Sequence, residues 1–162
     1  MAGKGSVDLD QDPRAIITVR EFAAPRELVF EVWTDPKHLA QWWGPFGFTT
    51  TTSAFELSEG GVWRFVMHGP DGRDYQNRIT FDEIKRPERI RYHHAGADDV
   101  EPVAFRTTVT FADLGRGRTR LTLHAQFPSA AERERVIKAY RADQGAIETL
   151  SRLADHLAKL AA

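Results

Sequence analysis

"VAFRTTVTFADLGRGRTRLTLHAQF", residues 103–127, reads as two strands and a hairpin in plain alternation. Val103, Phe105, Val109 and Phe111 share one side of the first run, with Thr107 between them. Leu121, Leu123, Ala125 and Phe127 share one side of the second. Arg106, Thr108, Arg120, Thr122 and His124 fall on the opposite sides, as befits a face against water. "ADLGRG" between the runs is a glycine-containing hairpin loop. The pattern demands an antiparallel sheet with one dry face, and that face needs a cover.

The cover follows directly. Ser129 with Glu132 three residues on has the spacing of a capping box. An interruption is expected around Asp143 to Gly145, after which Ile147, Leu150, Leu153, Ala154, Leu157 and Leu160 recur at helical spacing. A helix of about 18 residues and a strand of about eight each span roughly 27 Å. One long helix can therefore lie across a strongly bent sheet.

Upstream, "AIITVREF" (15–22) is a β-branched strand. Pro25 suits the start of a helix whose Val29, Val32 and Trp33 share a face, and Asp35-Pro36 ends it. "PKHLAQWW" gives a second short helix before Gly44-Pro45 breaks the chain. From Thr49 to Phe127 strands alternate with turns, "GPDGRD" being the strongest hairpin signal. Successive hairpins imply a meander rather than crossover units, hence an α+β fold.

Several residues invite a chemical reading. Trp42, Trp43, Phe46 and Phe48 crowd one turn, with Trp33 just upstream; such rings either plug the end of the core or form the mouth of a pocket. Trp63, Phe65 and Met67 should point inward together, and the Met thioether suits an adaptable wall. Tyr75, Asn77, Ile79 and Phe81 share a parity, so Asn77 either needs partners on an apolar face or is exposed by a bulge. His93 and His94 point to opposite faces, His94 siding with Ile90 and Tyr92. No spacing matches a zinc or calcium site, no G-x-S-x-G elbow occurs, and the G-x-G in "LGRGRTR" sits in a hairpin rather than a phosphate loop. Glu132/Glu134 and Asp98/Asp99 read as solvated surface.

Composition narrows the partners. The 162 residues suit one domain, with residues 1–14 a polar, flexible lead-in and 15–162 the domain. A net charge of -1 argues against nucleic acid and anionic membranes. No run approaches the roughly 20 apolar residues of a membrane span, and "MAGKGSVDLDQDP" lacks a signal-peptide core. The absence of cysteine excludes disulfides and thiolate sites and fits a cytoplasmic location.

"APRELVFEVWTDPKHLAQWWGP", "EGGVWRFVMHGPDG", "ITFDEIKRPERIRY", "GRTRLTLHAQF" and "GAIETLSRLADHLA" together resemble the Hsp90-ATPase-activator-like (AHSA1-like) branch of the START/Bet v 1 superfamily. The resemblance runs from about residue 15 to 160. It implies a helix-grip fold: six or seven curved antiparallel strands around a long C-terminal helix, with two short helices closing one end. The space between helix and sheet is commonly a ligand cavity in that superfamily. One departure stands out. Many relatives carry tryptophan after the glycine opening the last helix, where this chain has Ala146. Either the cavity is roomier, or Trp33, Trp42 or Trp43 compensates.

The expected function is binding of a small hydrophobic or amphipathic molecule, without a cofactor or metal. The expected walls are Trp33, Trp43, Phe48, Trp63, Phe65, Met67, Asn77, Phe81, Tyr92, His94, Phe105, Val109, Leu123, Ile147 and Leu150. Asn77, Tyr92 or a tryptophan N–H would orient a polar group. Two alternatives follow from the resemblance. One is a co-chaperone that activates the Hsp90 ATPase through surface contacts. The other is a cyclase- or hydrolase-like enzyme, for which only Tyr92 with His94 offers an inward titratable pair. Oligomeric state is open, a homodimer included.

Overall fold

The computed structural model describes residues 5–94 and 100–161. Its strands are β1 (Ser6–Asp8), β2 (Ala15–Phe22), β3 (Thr49–Phe55), β4 (Val62–His68), β5 (Asp74–Lys85), β6 (Arg89–His94), β7 (Phe105–Gly115) and β8 (Arg118–Gln126). Its helices are α1 (Arg26–Trp33), α2 (Pro36–Trp42), α3 (Ala130–Tyr140) and α4 (Ala142–Ala161). The strands form one open antiparallel sheet, ordered β1-β2-β8-β7-β6-β5-β4-β3. The architecture is α+β and matches the Bet v 1-like fold.

The sheet has eight strands, not six or seven. The additional one lies within the stretch read as a lead-in, where Ser6 pairs with Val19 and Asp8 with Ile17. Its polar letters hide it, because a three-residue edge strand needs only Val7 to pack inward. The Arg133 guanidinium also ties this segment down, donating to the carbonyls of Leu9 (2.6 Å), Asp12 and Ala15.

The helices begin and end for local reasons. Pro25 is the N-cap of α1, whose Val29, Phe30, Val32 and Trp33 are buried. The Asp35 carboxylate caps α2 by accepting from the Lys37 N–H, and the Ser129 hydroxyl caps α3 by accepting from Glu132. The capping box is half made, since the Glu132 carboxylate turns to Arg135 instead. The expected break in the C-terminal helix falls earlier than predicted, at Arg141, which adopts the left-handed conformation (φ 54°). Gly145 lies within α4, and its reason is space: a Cβ there would stand 3.3 Å from the ring of Pro45.

α4 lays Leu150, Leu153 and Leu157 into the same core as the sheet residues Ile79, Ile90, Val109, Phe111 and Leu121. A second cluster, Ile16, Phe127 and Val136, gathers at the other end, with Val103 and Phe105 packed on it. No helix among the described residues is long and apolar enough to cross a membrane. Asp98, Asp99 and most of their acidic loop lie outside the described residues.

Candidate functional site

The crowded turn after α2 is both plug and mouth, divided residue by residue. Trp42 is fully buried and donates its indole N–H to the Val32 carbonyl (3.1 Å). Trp33 packs against it at 4.9 Å, and Trp43 meets Trp33, Trp42 and Trp63 edge-on at 5.6, 5.4 and 5.0 Å. Phe46, by contrast, is 56% exposed, and Phe48 reaches across to Tyr75 at 5.8 Å.

The turn is held by a cation from α4. Positive φ at Gly44 (108°) and Gly47 (85°) folds the backbone so that its carbonyls converge. Arg152 Nη1 donates to the carbonyls of Trp43, Gly44, Pro45 and Phe48 at 3.0–3.3 Å, its hydrogens necessarily shared among them. Nη2 reaches the Gln41 carbonyl as well. The Glu148 carboxylate accepts from the Phe46 N–H (3.1 Å). The loop is thus tied to α4 at several points. Nothing in the helical pattern distinguished Arg152 from an ordinary solvated residue.

Behind this mouth is a cavity of about 550 Å³ between α3, α4 and the inner face of the sheet. Residues of both core clusters border it, Trp33 and Phe65 from one and Ile16, Phe127 and Val136 from the other. Small residues leave the space open: Gly44, Ala125, Ala139, Ala142 and Ala146 all line it. Trp33, Trp42 and Trp43 pack on one another, and Trp33, Trp43 and Ala146 all border the open space.

The structure divides the expected wall residues. Trp33, Trp43, Phe48, Phe65 and Met67 border the cavity. So do Asn77, Tyr92, His94, Phe105 and Leu123. Trp63, Phe81, Val109 and Leu150 do not; they are buried in the first core cluster, where Trp63 stacks on Phe65 at 4.0 Å. Ile147 is also outside the lining. Alternation identifies the dry face of a strand, but it does not say at which rung the packing stops and the void begins.

The polar groups on this face are few and informative. The β5 bulge falls at Asp82, beyond Asn77, so Asn77 keeps its register opposite Phe65 and lines the cavity. Its Nδ2 donates to the Tyr75 carbonyl at 3.0 Å. The indoles of Trp42 and Trp63 are occupied by protein acceptors and cannot orient a ligand. Tyr92 and His94 lie with ring centroids 6.1 Å apart, and no hydrogen bond joins them. Burial pushes the Tyr92 phenol up. The Thr107 hydroxyl opposes that rise without reaching hydrogen-bond geometry. Burial, with a smaller contribution from the neighbouring His93 charge, pushes His94 down to about 3. The imidazole is therefore neutral at ordinary pH.

Sequence reasoning passed over Thr18, which shares the dry face of β2 with Ile16, and noted Thr107 only as an interruption. A hydroxyl at an apolar parity position was the available signal. It also missed the rim opposite the aromatic turn. There the Glu101 carboxylate accepts from Arg73 (2.8 Å) and from the Tyr140 hydroxyl (3.1 Å), while Arg73 lies over the Tyr75 ring. Among the described residues no three histidine, aspartate or glutamate side chains gather as a metal site.

Comparison with known proteins agrees with this geometry. A family model described as "Activator of Hsp90 ATPase homolog 1-like protein" matches residues 23–158. A search of curated proteins finds no match. The chain is similar to a protein of Arthrobacter aurescens solved by NMR, with 26% identity and TM-score 0.86, over 95% of this chain and 91% of that one. It is similar to a crystallised protein of Mycobacterium smegmatis at 25% identity and TM-score 0.82, over 96% and 98%. It is also similar to the AHSA1 protein of Silicibacter pomeroyi at 25% identity and TM-score 0.71, over 89% and 97%.

Proposed function

This chain belongs to the Activator of Hsp90 ATPase homolog 1-like family, and from that membership and its interior we propose that it binds a small hydrophobic or amphipathic molecule between α4 and the sheet. The observation that carries the reading is the cavity of about 550 Å³, within the range of small-molecule sites and walled largely by rings and aliphatic chains. Such walls supply affinity at about 25 cal/mol per Å² taken out of water. The few inward polar groups supply orientation.

The test is native mass spectrometry of the protein as purified, joined to a thermal-shift screen against sterols, fatty acids and aromatic polyketides. A retained lipophile or a saturable rise in Tm is expected; at 100 times Kd the ligand adds about 2.7 kcal/mol of stability. A bare protein whose Tm no lipophile moves would sink the reading.

A second reading, stimulation of the Hsp90 ATPase, draws support from the family's description and from Phe46, a large apolar side chain exposed at the loop tip. An ATPase assay with wild type and Phe46→Ser tests it. A cyclase- or hydrolase-like reaction in the same cavity ranks third, because Tyr92 and His94 share no proton-transfer contact. Turnover lost in His94→Ala with ligand affinity retained would raise it.

A further inference from the structure

The inward face of the sheet carries polar atoms that have no partner among the described residues. Thr18 Oγ1, Thr107 Oγ1 and His94 Nδ1 are buried and unpaired, and all three residues border the cavity. Thr107 on β7 pairs with Tyr92 across the strands and lies one diagonal step from His94 on β6, whereas Thr18 on β2 is three strands away from His94. A folded protein seldom leaves such groups unsatisfied unless something else meets them.

The two nitrogens of His94 differ. Its ring stacks on Phe105 at 4.2 Å, with only 15° between the planes. Nδ1 is buried with no partner, whereas Nε2 is not among the buried unpaired atoms and has no hydrogen bond among the described residues. Nε2 is thus the nitrogen at the accessible surface of a residue that lines the cavity. A neutral imidazole carries one proton, and a buried N–H without an acceptor is rarer and costlier than a buried lone pair. The proton therefore belongs on Nε2, where it faces the cavity as a donor.

Resting on the cavity-binding reading, we infer that the ligand is uncharged and carries a hydrogen-bond acceptor, a ketone or similar carbonyl, set against the Nε2–H of His94 beside Thr107. Charge complementarity points the same way. The lining cations Arg78 and Arg141 are not fully buried, and Arg20, whose Nε is buried and unpaired two residues from Thr18, donates to Ser151 and does not border the cavity. A carboxylate head placed there would be desolvated without a counter-charge. A fatty acid would have to enter tail first, laying hydrocarbon on the unpaired hydroxyls.

The experiment uses three probes: 6-propionyl-2-(dimethylamino)naphthalene, an uncharged ketone whose emission reddens when its carbonyl accepts a hydrogen bond; 2-(dimethylamino)naphthalene, the same body without the carbonyl; and decanoate. The ketone is expected to bind most tightly. His94→Phe, which keeps the stack on Phe105, should weaken it roughly five- to tenfold and shift its emission to the blue. That variant should leave the carbonyl-free probe unchanged, and His94→Gln, which retains an N–H donor, should recover part of the loss. Equal binding of both naphthalenes, with no response to His94→Phe, would overturn the acceptor recognition while leaving the cavity reading intact. Tighter binding of decanoate than of the ketone would overturn the uncharged head group. Failure of all three probes to bind would overturn both readings.

Discussion

At one end of the interior Trp33, Trp42, Trp43, Trp63 and Phe65 interlock at centroid separations of 4.0–5.6 Å, with the indoles of Trp42 and Trp63 hydrogen-bonded. At the other end Phe105, Phe127, Ile16 and Val136 face a void, and three polar atoms beside it have no partner. Both ends belong to the same sheet and are covered by helices of the same C-terminal segment. The packed end interlocks its rings and hydrogen-bonds the indoles of Trp42 and Trp63, as stability requires. The hollow end leaves volume open and polar atoms facing it unpaired, and regions that depart from those rules are where function is sought.

Mutations should separate the two ends. Trp42→Ala strikes the packed end and should cost about 3–5 kcal/mol, read as a lower urea midpoint at unchanged m-value. Arg152→Ala should follow at roughly 2–3 kcal/mol, because it strands several carbonyls of the aromatic turn. Arg152→Lys should rescue little of this, since a point charge cannot reproduce the planar fork.

Ala146→Trp acts on the hollow end. Stability should move by less than about 1.5 kcal/mol, because the indole enters a void rather than a packed core. Probe binding should disappear. A destabilisation as large as that of Trp42→Ala would show that the two ends are packed alike, and the contrast between them would collapse.

Acid should find the hollow end as well. His94 is held neutral in the fold with its pKa near 3 against 6.5 when unfolded. Below pH 6.5 the unfolded chain binds a proton that the native state refuses, so stability falls from there down towards pH 3. Between pH 7 and 5.5 this contribution is about 1 kcal/mol. His156, lowered by burial and by the neighbouring His38, acts in the same direction. The difference between wild type and His94→Phe in urea midpoints across that interval isolates His94; identical pH slopes would refute the assignment. Phe46→Ser, at the exposed loop tip, should change stability by no more than about 0.5 kcal/mol.

Much of this architecture was legible beforehand. The alternation of Val109 and Phe111 against Leu121 and Leu123, with "GRG" between the runs, determined an antiparallel pair with one dry face. Period-two and helical spacings are local consequences of backbone geometry. The motif order carried the family, and Ala146 raised the choice between a roomier cavity and compensation by a tryptophan without deciding it. β1 escaped because one valine in three residues has no period, and the helix break moved to Arg141 because a left-handed cap need not be glycine.

Only the tertiary structure decided where packing ends. Trp63 and Phe65 alternate on one strand and read alike, yet Trp63 is sealed in the core while Phe65 borders the cavity. It likewise brought Arg152 from one end of the chain to the carbonyls of Trp43 and Phe48, and set Thr18, His94 and Thr107 around one void. Those relations join residues from distant strands and helices. Their distances depend on how the sheet curves and where α4 rests on it, which no local pattern encodes.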